Sequence, residues 1–228
     1  MQNQTQAAIF ALCLAAGPAL AADHLPLPKQ GPVTVEFAVS ENANVMDLAG
    51  AWETFQDAHD GQGFRLLIVS DKKGPVHMTG GMVLMADYSY DDAPAADLVS
   101  IGAQKGSPAQ VAWLKARHAA GAILMSVCTG AFRLAATGLL DGKSATTHHD
   151  FFAQFHARFP RVTLSPGDRY VRSDRNIFTA GGLTSGIDLA LHMVALYYGE
   201  ADARKTARYM EYTGTGWLVP TGASPTSD

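Results

Sequence analysis

The sequence has few of the residues that would staple a fold or tie it to a large partner. Two of its 228 residues are cysteines, Cys13 and Cys128. That excludes a disulfide framework and leaves stability to an apolar core. Basic residues are sparse and scattered: 17 Lys and Arg stand against 21 Asp and Glu, for a formal net charge of −4. Without a basic stripe or tail to neutralise phosphates, nucleic acid is not expected as a partner. Gly and Pro do not cluster, and there is no internal repeat or linker. With 47% hydrophobic and 17% charged residues, the composition is that of one sizeable globular domain, neither fibrous nor disordered. Metal-ligand spacing is also missing. His148 and His149 are neighbours, which in a strand would point to opposite faces, and no Cys or carboxylate recurs around them at ligand intervals. No metal and no cofactor are expected.

What is present begins with the N-terminus. Ala7 to Ala21 is apolar and uncharged, too short to span a bilayer, and it ends in Pro18-Ala19-Leu20-Ala21 ahead of Ala22-Asp23. Small residues at Ala19 and Ala21 fit a signal-peptidase site, although the leading segment Met1 to Gln6 lacks the usual Lys or Arg. The expected organisation is a signal peptide over residues 1–21, an extension over 22–32, one domain over 33–219 and a mobile polar tail over 220–228. The mature chain would then be periplasmic or secreted, without a membrane anchor, and Cys128 would be its one thiol.

Val33, Val35, Phe37 and Val39 alternate as in a strand, and after a polar break a helix is expected from about Asp47 to His59. Strands are expected at Phe64 to Ser70, Asp97 to Gly102, Ala122 to Val127 and Ile177 to Ala180, with shorter ones near Met82 to Tyr88, Ala145, Val162 and Arg169 to Arg172. Helices are expected over Pro108 to Ala120, Thr129 to Leu140, the segment around Phe151, Phe152 and Phe155, Ser185 to Tyr198 and Ala201 to Glu211. Strands alternating with helices at these spacings predict an α/β fold with a doubly wound, mostly parallel, flavodoxin-like sheet and helices on both faces.

The buried run Ile123 to Val127 turns directly into a helix at Cys128-Thr129-Gly130, the geometry of a nucleophile elbow with a thiol in place of serine. A thiol at a helix start sees unpaired N–H groups, which favour the thiolate and predict a pKa below the ordinary cysteine value. Gly130 relieves crowding in the turn. The competing reading is a small buried hydrophobe. Asp47, just past the first strand, falls on the same carboxyl edge of the sheet, where open α/β sheets place ligands. It could equally cap the helix it precedes. Gly181-Gly182 allows close backbone approach beside that edge. His148 reads as polar packing, with a direct catalytic role as the alternative, and Glu211, Tyr212 and Trp217 as packing with a dimer contact.

Four motifs occur in order: Val45-Met46-Asp47-Leu48-Ala49-Gly50, Ser126-Val127-Cys128-Thr129-Gly130, Gly138 to Lys143 running into Ala145-Thr146-Thr147-His148, and Thr179 to Asp188. Together they resemble the ThiJ/PfpI superfamily, within it the isonitrile hydratases and the sensor domain of some AraC-type regulators. The resemblance implies a nucleophile at Cys128, an acid/base carboxylate at Asp47 and an active-site threonine at Thr129. In the protease-like branch the residue after the cysteine is usually His, so Thr129 counts against a Cys–His hydrolase. The family's Pro-Gly-Gly loop, which lends a backbone N–H to the anion site, appears here as Ile101-Gly102-Ala103. The expected substrate or oxyanion site is therefore Gly102, Ala103, Gly130, His148, Gly181 and Gly182. The function implied is hydration of a small electrophile, an isonitrile to an N-substituted formamide, by a homodimer acting on a small-molecule substrate. The alternatives are glyoxalase or deglycase chemistry, or an exported non-catalytic thiol sensor of ligands or oxidants. Only a short segment follows Trp217, so no helix-turn-helix reader is expected within this chain.

Overall fold

The computed structural model describes residues 24–218. The expected signal peptide, its cleavage point before Ala22, Cys13 and the tail over 220–228 lie outside the described residues. In chain order the elements are β1 (Val33–Ala38), α1 (Val45–Asp57), β2 (Phe64–Ser70), β3 (Gly74–His77), β4 (Val83–Ala86), β5 (Tyr88–Ser89), β6 (Leu98–Ile101), α2 (Pro108–Ala119), β7 (Ile123–Ser126), α3 (Gly130–Ala136), β8 (Ser144–Ala145), α4 (Phe152–Arg158), β9 (Thr163–Leu164), β10 (Tyr170–Asp174), β11 (Ile177–Ala180), α5 (Ser185–Tyr198) and α6 (Glu200–Tyr209).

Side-chain alternation along the central strands divides the interior in two. Val33, Val35 and Phe37 of β1, with Ile123 and Met125 of β7, face a core shared with Phe55 of α1 and Leu191 of α5. Ala38 and Leu124 point the other way, to a core with Trp113 and Leu114 of α2, Leu134 of α3 and Phe155 of α4. Glu36 belongs by phase to the second face and is fully buried there. Arg117 of α2 answers it with a 2.8 Å hydrogen bond. Burial nevertheless raises the Glu36 carboxyl to about 7, the Arg117 charge offsetting only part of the cost.

The main sheet has the strand order β10-β11-β7-β6-β1-β2-β5. Its pairings are parallel apart from the antiparallel β10–β11 pair, so the doubly wound, mostly parallel sheet expected from the sequence is the observed one. From β1 the chain moves outward to β2, then returns to lay β6 and β7 on the other side of β1. The crevice over the carboxyl ends of β1, β6 and β7 is thus a topological switch point. Two small sheets, β3–β4 and β8–β9, stand apart from the main one. Among the described residues no helix is long and apolar enough to cross a membrane.

Two of the helices that differ from their expected spans show why. α1 starts at Val45 because the Asn44 side chain accepts hydrogen bonds from the N–H groups of Met46 and Asp47, so Asn44 and not Asp47 is the N-cap. α3 stops at Ala136, well short of Leu140. There the Thr137 hydroxyl turns back onto the Leu134 carbonyl and also accepts from the Leu139 N–H, and Gly138 takes φ +81°.

Candidate active site

Four chain segments converge at the switch point: the start of α1, the turn after β6, the turn after β7 and the turn after β11. Cys128 sits in the third with φ +59°, a left-handed conformation that a non-glycine residue adopts only when its surroundings impose it. What imposes it is visible in the backbone. The Cys128 N–H donates to the Gly181 carbonyl at 2.8 Å, and the Cys128 carbonyl accepts from the Thr147 hydroxyl at 2.9 Å. On the next turn an added Cβ at Gly130 would lie 2.2 Å from the Ile101 carbonyl oxygen. Only glycine lets α3 pack this closely on the end of β6.

Asp47, freed from capping, turns inward and is 1% exposed. Its Oδ2 accepts the Ala103 N–H at 2.8 Å. Gly102 makes this approach possible, since a Cβ there would stand 2.7 Å from the Asp47 Cβ. Ala103 is not among the residues with positive φ, so alanine in the family's second glycine position brings no backbone strain. Its N–H is already engaged by Asp47. Oδ1 of Asp47 is sealed from solvent without a hydrogen bond of good geometry. The Cys128 thiol and the Leu183 N–H both act on the carboxylate as donors. Burial raises the Asp47 pKa, and the Ala103, Cys128 and Leu183 donors recover only part of that penalty.

Cys128 is buried, and its thiol is pushed up to about 11, first by burial and then by the Asp47 carboxylate. The N–H groups of Thr129 and Leu183 favour the thiolate, as the strand-to-helix position suggested, but they are outweighed. The depressed thiol pKa expected from the sequence is therefore corrected. α3 has only seven residues, while desolvation and a facing carboxylate act directly on the sulfur.

The remaining candidates surround this pair. Thr129 is half-buried beside the sulfur, and the Gly130 N–H is spent on the Val127 carbonyl. Gly181 uses both backbone groups in pairing, donating to Arg169 and accepting from Cys128. Gly182 seats the His148 ring: an added Cβ would lie 2.3 Å from Cδ2 and 3.1 Å from Nε2 of the imidazole. A cavity of about 350 Å³ opens alongside, lined by His148, Arg169, Gly181, Gly182, Leu183 and Thr184. Its cationic wall is partly neutralised, because Arg169 Nε donates to Asp188 at 2.6 Å and Nη2 to Thr184 at 3.1 Å.

Sequence reasoning missed Leu183 and Thr147. Leu183 holds φ +50° and turns its N–H toward both Asp47 and Cys128. The preceding Gly181-Gly182 marked a tight turn, but a left-handed leucine has no local signature. Thr147 was visible only as part of a motif.

The four motifs that meet here are those of one family. A sequence profile of the DJ-1/PfpI family matches residues 33–196. The chain belongs to this family. Among its DJ-1/PfpI relatives, the HTH-type transcriptional regulator GbdR of Pseudomonas aeruginosa is 32% identical over 77% of this chain, which spans about half (49%) of the regulator's length. The isonitrile hydratase of Pseudomonas putida is 31% identical, the match covering 78% of each protein. A solved ThiJ/PfpI family protein from Pseudomonas syringae superposes with a TM-score of 0.67 at 26% identity, over 93% of this chain and 87% of that one. The fold is thus the DJ-1/PfpI fold, whose members include both enzymes and regulators.

Proposed function

We propose that this DJ-1/PfpI protein is a cysteine-dependent hydratase of small electrophiles, of the isonitrile hydratase type. The observation that carries the reading is the facing pair of Asp47 and Cys128 at the ligand-binding edge of the sheet: the carboxylate raises the thiol's cost of ionisation, and the thiol, as a donor, eases the carboxylate's. Such a pair holds one negative charge and one transferable proton between them, which suits a reaction that must first remove a proton from sulfur and then place it on carbon.

At rest the charge lies on Asp47 and the proton on Cys128. As the sulfur attacks the terminal carbon of an isonitrile, Asp47 takes the thiol proton, so a free thiolate is never required. Asp47 then delivers that proton to the same carbon, leaving a thioimidate, R–N=CH–S–Cys128. With Asp47 again a carboxylate, it accepts a proton from water as the hydroxyl adds to the carbon and passes that proton to the nitrogen, leaving R–NH–CH(OH)–S–Cys128. Collapse expels the sulfur, which regains its proton, and releases R–NH–CHO. The sum is addition of one water, without net redox change. The unsatisfied Oδ1 of Asp47 is the atom to which these protons would go, since Oδ2 is held by Ala103.

The test is turnover of an isonitrile panel by the purified chain, followed by formamide production, with Cys128→Ala as control. Formamide formed by wild type and lost in the variant supports the reading. A silent wild type refutes it. A second reading, a ligand-sensing domain without turnover, is favoured by the poorly ionised thiol and by the likeness to a regulator. It predicts saturable binding of a small molecule in the same panel with no product.

A further inference from the structure

The sequence counts against metal binding by His148 and His149 on the expectation that they lie in a strand and face opposite ways, with no carboxylate at ligand spacing. They do not lie in a strand. His148 is the N-cap of a short 3₁₀ turn that contains the other two, and its ring stacks on that of His149, with centroids 4.5 Å apart and planes 22° apart. Three donor atoms, one from each residue, come within 4.8 Å of one another. From this convergence we propose that His148, His149 and Asp150 form a site for a divalent transition-metal ion of the Zn²⁺ class, at the rim of the cavity both histidines line.

The donors lie near enough to close on one ion. The two oxygens of Asp150 each face a different imidazole: Oδ2 stands 3.7 Å from His148 Nδ1, and Oδ1 3.1 Å from His149 Nε2. Donors bound at about 2.0–2.1 Å around a tetrahedral zinc stand about 3.3 Å from one another, so one atom from each residue, now within 4.8 Å, must draw together and the stacked rings swing apart as the ion binds. The ring orientation of His148 is set by its neighbour. Gly182 packs against the Cδ2–Nε2 edge, which turns Nδ1 toward Asp150. The one competing interaction at Nδ1 is a long 3.3 Å hydrogen bond from the Asp150 N–H, which an ion would displace. Two imidazoles and one carboxylate select Zn²⁺, Co²⁺ or Ni²⁺ over Mg²⁺ or Ca²⁺, which prefer all-oxygen shells. Three protein donors leave at least one position for water or a small ligand. His149 and Asp150 are 78% and 68% exposed, so an ion can enter and leave without opening the fold. When bound it sets a positive charge and an exchangeable water at the mouth of the cavity beside Asp47 and Cys128.

The experiment uses tag-free full-length protein, stripped with chelator. Zn²⁺ is titrated in competition with a chromophoric chelator, and Co²⁺ is followed by its visible absorption. One equivalent per chain is expected, with no sulfur-to-cobalt charge-transfer band and with full retention in Cys128→Ala. His149→Ala and Asp150→Asn, both at exposed positions, should each weaken Zn²⁺ binding by roughly 10-fold or more, with melting temperatures matching wild type to show that the fold is intact. The proposal is overturned by an absence of saturable binding at micromolar Zn²⁺. It is equally overturned by binding that survives both substitutions, or by binding lost in Cys128→Ala, which would assign the ion to the thiol.

Discussion

Replacing Asp47 by asparagine should drive the two properties of the site in opposite directions. In the wild type the thiol is held at about 11, so at pH 8 only about one molecule in a thousand carries a thiolate. Two of the three influences that raise it, the Coulombic repulsion and the acceptor hydrogen bond, come from Asp47. Asp47→Asn removes both. The new amide oxygen can keep the 2.8 Å bond from the Ala103 N–H, which points the amide NH₂ to where Oδ1 now lacks a partner. There it donates to the sulfur and favours the anion. Burial remains, so the thiol does not fall to an ordinary value, but alkylation by iodoacetamide at pH 8 should rise roughly 10- to 100-fold. Hydration should instead fall roughly 10²- to 10⁴-fold, because the proton carrier is gone. Alkylation rates across pH 7 to 11, paired with formamide production, read both. Unchanged or slower alkylation would refute the electrostatic coupling. Unchanged hydration would refute the acid/base role and leave Asp47 as a clamp on the turn after β6.

Two further outcomes rest on other contacts. Gly130→Ala should lower stability by about 2 kcal/mol or more, since its Cβ would press on the Ile101 carbonyl oxygen at 2.2 Å; a urea midpoint within error of wild type would contradict the close packing at the elbow. Glu36 binds its proton more tightly folded (about 7) than unfolded (4.5). Its contribution is fully present below pH 4.5 and is lost as pH rises through 7, a decline of about 3 kcal/mol. Glu36→Gln should remove that slope from denaturation curves measured between pH 4.5 and 8, and parallel wild-type and variant curves would refute it.

Legibility followed the range of the interaction that decides each feature. The strands of the main sheet are written in local alternation and apolar runs, so Val33 to Ala38 and Ile123 to Ser126 fall where the pattern puts them. Cys128 was found because a strand–turn–helix junction is local too. The helix ends were settled by competition between nearby polar groups: Asn44 displaced Asp47 as the cap, and Thr137 with Gly138 cut α3 short. The thiol's ionisation was misread because its causes are distant in sequence. Asp47 bears on it from the end of another strand, and its burial comes from the core it shares with Phe55 and Leu191. The His148–His149 pair stands at a turn and not in the strand expected, because the His148 backbone (φ −60°, ψ 133°) leads straight into a 3₁₀ turn.

The clamping of Cys128 separates what its side chain can do from what its backbone can report. Its N–H is tied to β11 through Gly181, its carbonyl to Thr147, and its neighbour Gly130 is wedged under the end of β6. A group attached to the sulfur therefore has no slack main chain to push, and forming or losing such an adduct leaves the sheet edge where it was. For a catalyst this means the same attack geometry is restored after each cycle. For a sensor it means any message must leave sideways, through Leu183 and the His148 ring seated on Gly182, because the elbow itself is mute.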